Sequence, residues 1–524
     1  MKAAVLLLLA VILLLDVDSV RHDTLTDDEP VHYLYGANIL GGDATRFNNS
    51  KMPITALNAL PAWLAGALSP GPLQAFLGRI ETGRYVTIAF SLLVAACVFS
   101  WSRDLYGPAA GLFSLFLYAF DPNVIAHSRL ITTDLYASGM VVIALYCFWR
   151  FLNQGGWPRA LLSAGSLGLA QVAKYTAVYL YPILILILLY REGPRLVSMV
   201  RDGDGRGLAR ACVTFSKYAL VFAAVSLLVI NLAFLCEQSF TRVADYRPHS
   251  VLFQRLQAAL PGEHLRVPVP YPYLDGLDWV WLDDRQGVGN TYLLGHLRRG
   301  EGFKGYFLVA SLFKVPLPLL GAIAAALVVC FARRRSLRFR DNEVFLLLPV
   351  LFFTAYFNLV SNAHWGIRLF LIVFPLLHVL CGVLLRDWPL VRPRFKGALG
   401  LLGAWLVISV LSYHPHYIPY FNELVWDRKD AYKFLSDSNV DWKQGERDLA
   451  RWRERHPQAH VEPRVPRSGL VVVGVTKLTG VVNSKRFKWL RDNFEPIGHI
   501  AYCYLIFDVP ASRLPELERA ALKE

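Results

Sequence analysis

Apolar runs near the length of a membrane crossing recur along this chain, and Arg-rich stretches separate them. That alternation constrains the fold more than any motif. A hydrocarbon core about 30 Å thick needs roughly 20 apolar residues in a helix, and only helices or closed barrels satisfy their backbone there. The chain has 524 residues, 55% hydrophobic and 18% charged. A soluble protein of this length would divide into several domains and carry far more charge. The pattern predicts a mainly α, polytopic helical membrane protein with about eleven spans. They fall near 3–15, 83–101, 109–126, 134–151, 159–173, 176–190, 218–236, 306–331, 343–360, 367–385 and 397–413. The first run is followed directly by Asp16 and Asp18 and has no small-residue cleavage pattern, so it reads as an uncleaved anchor helix.

Basic residues favour the cytoplasmic ends of spans. With the N-terminus inside, the cytoplasmic loops collect Arg103, Arg150, Arg159, the group Arg191 to Arg210, then Arg333, Arg334, Arg335, Arg338 and Arg340, and finally Arg386, Arg392, Arg394 and Lys396. Arg298-Arg299 is the main exception. The formal net charge of +14 therefore reflects topology. No basic patch interleaved with aromatics points to nucleic acid. Three large pieces fall outside: loop 16–82, loop 237–305, and the tail 414–524, beyond a transmembrane domain 1–413. In the first loop, 29–40 and 53–68 read as interfacial helices. In the tail, Trp442 to Arg455 and Ser484 to Asn493 read as helices and Leu470 to Val475 and Ile500 to Val509 as strands, a small α/β domain. Seven scattered cysteines without a CxxC pair read as small buried hydrophobes, with no disulfide framework.

Charges at span ends are costly and carry a functional expectation by default. The acidic run Asp27-Asp28-Glu29 follows the first span. Asp134 opens the fourth span after Thr132 and Thr133, where a helix-cap carboxylate is the plain alternative. Lys174 splits an apolar stretch into two spans joined by a tight turn. Lys314 lies about two helical turns inside its span, beside Pro316 and Pro318, which predict a broken helix. Arg368 stands at the outer end of its span and Lys51 precedes the second interfacial helix. For the four cations the plain alternative is a snorkelling side chain. All sit at or towards the outer face. Together they have the chemistry for a phosphate-linked lipid donor: cations for the phosphate, and a carboxylate to deprotonate an acceptor. Their convergence in space is inferred from sidedness alone.

These residues resemble motifs of the GT-C membrane glycosyltransferases that use polyprenyl-phosphate sugars, on the branch holding the protein O-mannosyltransferases and the lipid A aminoarabinose transferase. Asp28-Glu29 resembles that branch's Asp-Glu motif. Ser50-Lys51-Met52-Pro53 is similar to its Lys-Pro-Pro element, with Met52 replacing one proline. Thr132-Thr133-Asp134 resembles the second acidic motif, and Ala173-Lys174-Tyr175 the lysine turn. Tyr292-Leu293-Leu294-Gly295, Lys314 to Pro318, Gly366-Ile367-Arg368, His414 to Tyr417, Tyr420 to Glu423 and Ser438 to Trp442 look like a pattern shared by bacterial members. The resemblance covers nearly the whole chain.

It implies a hexosyl- or pentosyltransferase that moves a sugar with inversion from a polyprenyl-phosphate donor to a protein, glycan or lipid. The setting would be the periplasmic face of a bacterial inner membrane, with a cytoplasmic N-terminus and a periplasmic tail. Asp28 would be the general base, Glu29 its support or an acceptor-positioning group, and Asp134 a second essential carboxylate. Lys51, Lys174 and Arg368 would bind the lipid phosphate, with Lys314 and His364 as further candidates. Some relatives bind a divalent metal ion at this surface; no ligand spacing here predicts one. The tail carries no catalytic constellation and is expected to pack over the outer cavity. A transporter or lipid flippase with broken spans is the alternative, and a non-catalytic scaffold a third.

Overall fold

The apolar runs do become helices, but several are interrupted where the sequence places proline or charge. The computed structural model describes residues 1–43, 50–260, 264–287, 289–334, 338–387 and 393–516. Arg335 and Arg392 of the basic loops lie outside the described residues. The first helices are α1 (Lys2–His22), α2 (Glu29–Leu40), α3 (Ala56–Ala65) and α4 (Pro72–Leu77). The bundle continues with α5 (Gly83–Tyr106), α6 (Pro108–Ala119), α7 (Pro122–His127), α8 (Asp134–Gln154), α9 (Trp157–Gln171), α10 (Leu180–Arg201) and α11 (Gly205–Ala233). Loop 237–305 holds α12 (Val251–Ala259), α13 (Tyr271–Gln286) and two short antiparallel strand pairs, β1–β2 (Thr241–Arg242 with Arg266–Val267) and the hairpin β3–β4 (Asn290–Leu293 with His296–Arg299). The bundle closes with α14 (Tyr306–Lys314), α15 (Leu317–Ala332), α16 (Val344–Ala355), α17 (Phe374–Cys381) and α18 (Pro393–Leu411).

Six described helical segments are long and apolar enough to cross a membrane, and three shorter apolar helices accompany them. The chain is a multi-pass membrane protein. The first helix runs past the apolar stretch to His22, so Asp16 and Asp18 belong to the helix and not to the loop after it. Asp16 is buried and accepts a hydrogen bond from Ser128 Oγ at 2.7 Å. The run 306–331 is two helices, as its prolines predict. Pro316 has no N–H, and Val315 before it is extended (φ −97°, ψ 131°).

The tail forms a mixed four-stranded sheet in the order β5–β6–β8–β7, with β5 (His460–Val461), β6 (Gly469–Gly474), β7 (Gly498–Ile500) and β8 (Tyr504–Val509). Only β5 and β6 run parallel. The polar helix is α19 (Glu446–Arg455). After the short α20 (Val475–Leu478), the expected helix 484–493 shrinks to α21 (Lys488–Arg491). The expected strand from Ile500 is two strands around a tight turn, with Ala501 and Tyr502 at positive φ.

Polar contacts fasten the tail to the bundle. Ser19 Oγ donates to the Pro415 carbonyl at 2.6 Å, and Thr24 N–H to the Gln444 carbonyl at 2.9 Å. Lys314 is the deepest of these fasteners. Its Nζ is buried and donates to the carbonyls of Ile418 and Asn439, both at 2.7 Å. At the other end of the helices the arginines gather: Arg191 meets Asp341 at 3.5 Å and Arg333 meets Asp387 at 2.9 Å.

Lys314→Met is expected to leave two buried carbonyls without a donor and to cost about 2–5 kcal/mol. Thermal unfolding in detergent and proteolysis after residue 413 measure it; a wild-type melting curve would refute the fastening role.

Candidate active site

The site is assembled from the ends of helices that are far apart in sequence. A cavity of about 370 Å³ is lined by Asp28, His32, Lys51, Asp134, Lys174 and Arg368, with Asp283, Asp284, Tyr356 and Trp365 further round the wall. Asp28 stands just before α2, and His32 follows one turn later, its N–H bonded to the Asp28 carbonyl at 3.1 Å. Lys51 precedes the turn Pro53–Thr55. That turn lies against α2 at Gly36, where a Cβ would come 2.3 Å from the Thr55 carbonyl oxygen. Asp134 opens α8, and Lys174 is an extended residue between α9 and α10. Arg368 lies in the 3-10 segment Ile367–Val373, entered through Gly366 at φ +86°. A Cβ at Gly366 would meet Ser438 Oγ of the tail at 2.4 Å.

The charges interlock. Arg368 Nη1 reaches Asp28 Oδ2 at 2.8 Å and Asp134 Oδ2 at 3.4 Å. Lys174 Nζ donates to Asp134 Oδ1 at 2.5 Å. Asp134 is therefore ion-paired rather than a plain helix-cap carboxylate, though its place at the N-terminus of α8 also suits a negative charge. Neither Thr133 nor Thr132 caps the helix: Thr133 makes no side-chain cap bond, and Thr132 Oγ1 has no partner among the described residues. The Arg368 guanidinium also stacks over the Trp442 ring of the tail at 4.2 Å. Burial pushes the Asp28 carboxyl up, but the Arg368 and Lys51 charges outweigh that and hold it below its ordinary 3.8.

Five of the eight expected site residues thus share one cavity: Asp28, Lys51, Asp134, Lys174 and Arg368. The other three require correction. Glu29 is buried and faces away from the cavity, its carboxylate filled. Arg84 Nε and Nη2 donate to it at 2.8 and 2.6 Å, and the N–H groups of Thr26 and Ile131 at 2.8 and 3.0 Å. Lys314 is spent on tail carbonyls. His364 lies outside the cavity lining, accepts from the Phe303 N–H at 3.0 Å and stacks flat on Tyr306 at 4.5 Å.

Sequence reasoning did not single out His32, Asp283 and Asp284 as site residues. His32 is buried, and its Nδ1 has no hydrogen-bond partner among the described residues. Burial and the Lys51 charge push it down to about 3, so it is a neutral imidazole in the cavity wall. Its spacing of four from Asp28, one helical turn, is the signal that could have found it. Asp284 is held by Tyr356 Oη at 2.8 Å and Ser361 Oγ at 2.5 Å. No cluster of three or more His, Cys, Asp or Glu side chains among the described residues forms a metal centre.

Comparison with known proteins agrees with this geometry at the level of fold. The family model described as dolichyl-phosphate-mannose-protein mannosyltransferase matches residues 73–201, which include Asp134 and Lys174. No curated protein matches the chain. The crystal structure of ArnT from Cupriavidus metallidurans bound to undecaprenyl phosphate aligns with a TM-score of 0.52 at 13% identity, covering 97% of this chain and 98% of that one. The apo structure of the same protein aligns at 0.50 and 16%, covering 86% and 68%. The fold is that of the GT-C membrane glycosyltransferases. The likeness to ArnT extends over nearly the whole chain, and the mannosyltransferase family model matches residues 73–201 within it.

Three outcomes are expected. Glu29→Ala strands the buried Arg84 charge and should cost about 3–5 kcal/mol of stability, read by thermal unfolding. A stable Glu29→Ala protein that binds lipid normally but is inactive would restore a catalytic role. Because the folded Asp28 pKa is depressed, its charge is present at neutral pH and lost only as pH falls through that lowered value. Any Asp28-dependent rate should therefore show no acid limb at or above 3.8. Lys51→Gln, which removes a stabilising charge, should move that limb upward in a kcat/KM profile.

Proposed function

We propose that the chain transfers a sugar from a polyprenyl-phosphate donor to an acceptor at the outer membrane surface, with inversion and with Asp28 as general base. One observation carries the reading: four carboxylates and three cations line a single cavity, and one of the cations, Arg368, contacts two of the carboxylates, Asp28 and Asp134. The solved relative of the same fold holds undecaprenyl phosphate, which supports a lipid-phosphate donor here as well.

In this mechanism Lys174, Arg368 and Lys51 hold the donor phosphate. A guanidinium offers paired N–H groups that match phosphate oxygens, and the lysines add point charges. The acceptor oxygen or nitrogen attacks the anomeric carbon from the side opposite the phosphate. The bond from that carbon to the phosphate oxygen breaks, and its electron pair goes to the phosphate, where the three cations stabilise the growing charge. The acceptor proton goes to Asp28. Arg368 pairs with Asp28 and weakens it as a base. A bound phosphate competes for that guanidinium, so donor binding frees the carboxylate it needs. Asp134 keeps Lys174 and Arg368 aimed into the cavity.

The test uses purified full-length protein with polyprenyl-phosphate sugars in lipid vesicles. Asp28→Asn is expected to lose transfer by about 100-fold or more while still binding undecaprenyl phosphate. Wild-type transfer by that variant would remove Asp28 as base. Lys174→Ala and Arg368→Gln are expected instead to weaken undecaprenyl phosphate binding itself.

A further inference from the structure

A second, larger cavity lies in the tail and shares a wall with the first. Its volume is about 700 Å³, and it opens between α19 and the sheet edge at β5. The wall is narrow. Asp27 lines the tail cleft, while its neighbour Asp28 lines the active-site cavity. Trp442 lines the cleft, and its ring carries the Arg368 guanidinium on the cavity side. Asp437 lines the cleft and feels the charges of both Arg368 and Asp28.

The cleft is acidic in a chain whose net charge is +14. Six carboxylates and three cations line it. Two of the cations are taken: Lys443 pairs with Asp27, and Lys477 with Glu462. Asp437, Glu446 and Glu454 have no cation within ion-pair distance among the described residues. An anionic ligand such as a phosphate head group is repelled here; a cationic one is attracted. The remaining wall is aliphatic, with Leu449, Ala450, Pro457, Val461 and Val482. The two aromatic residues, Trp442 and Tyr504, are each 5% exposed, so no open ring face offers a platform for a pyranose. One side of the cleft is β5, a two-residue strand at the sheet edge paired only to β6. An extended peptide sends alternate side chains to opposite sides and can lie along a sheet edge. Basic side chains facing the carboxylates and apolar ones facing the aliphatic wall would match both surfaces.

Resting on the glycosyl-transfer reading above, we infer that this cleft seats the acceptor, an extended polypeptide segment with basic side chains, and presents its nucleophile across the Asp27–Trp442 wall to Asp28. The donor enters one cavity and the acceptor the other, and the tail therefore determines what is modified.

The experiment measures binding of two fluorescent eight-residue peptides to the full-length protein in vesicles. One is rich in lysine and serine; in the other glutamate replaces lysine. Undecaprenyl phosphate binding is measured on the same samples. The lysine peptide should bind, more weakly as salt rises, and the glutamate peptide at least tenfold less tightly. Leu449→Trp, which fills the cleft, and Glu454→Lys, on its exposed rim, should each weaken the lysine peptide about tenfold and leave undecaprenyl phosphate binding unchanged. Equal binding of both peptides overturns the inference. So does indifference to both substitutions, or tighter binding of a chitosan tetramer than of the lysine peptide. Loss of undecaprenyl phosphate binding by the wild-type protein would instead count against the donor site, and so separates the two failures.

Discussion

The Glu29–Arg84 pair is the contact on which the site geometry depends. Both side chains are fully buried, and a buried charge is tolerable only when its partner and hydrogen bonds are complete. Glu29 meets that condition with bonds from three places: Arg84 near the start of α5, Thr26 in its own loop, and the Ile131 N–H in the segment leading to Asp134. One carboxylate thus fixes the direction of α2, the position of Asp28 beside it, and the approach of the chain to Asp134. A second buried pair, Arg129 with Asp23 at 2.5 Å, is joined by His416 of the tail at 3.2 Å, but Nε and Nη2 of Arg129 are buried without a hydrogen-bond partner among the described residues.

The active-site charges sit on this frame in a different state. Arg368 is shared between Asp28 and Asp134, and the Asp28 side chain remains 31% exposed. A shared, partly open cation can be drawn to a phosphate without leaving a buried charge alone. A closed pair such as Glu29–Arg84 cannot. The neighbouring residues Asp28 and Glu29 therefore differ: the Glu29 carboxylate is closed off by its partners and holds the loop, and the Asp28 carboxylate stays partly open to the cavity. The tail takes part as well, because Trp442 covers the Arg368 guanidinium and Asn439 accepts from Lys314.

Much of this was legible in the chain. The eleven apolar runs fall on helical segments, six of them long and apolar enough to cross a membrane among the described residues, and the break at Val315-Pro316 follows from proline chemistry. Asp28, Lys51, Asp134, Lys174 and Arg368 stood out as charges at the ends of apolar stretches, and all five line the cavity. Glu29 and Lys314 stood out by the same rule and His364 by the resemblance, and all three face elsewhere. Sidedness is read along the chain, but side-chain direction depends on partners distant in sequence. Arg84 is 55 residues from Glu29, and the two carbonyls that hold Lys314 are 104 and 125 residues away.

By itself the sequence determined the class of fold, the placing of helices and the set of charges that a membrane chain would not carry without use. Hydrocarbon leaves a backbone few choices, and an ionisable residue there is conspicuous. Which of those charges meet was decided by tertiary structure alone. Ion pairing acts over a few ångströms, and the helices that bring Asp28, Asp134, Lys174 and Arg368 within that range start or end far apart in the chain. The sharing of Arg368, the closure of Glu29 and the tail cleft beside the cavity all come from that packing.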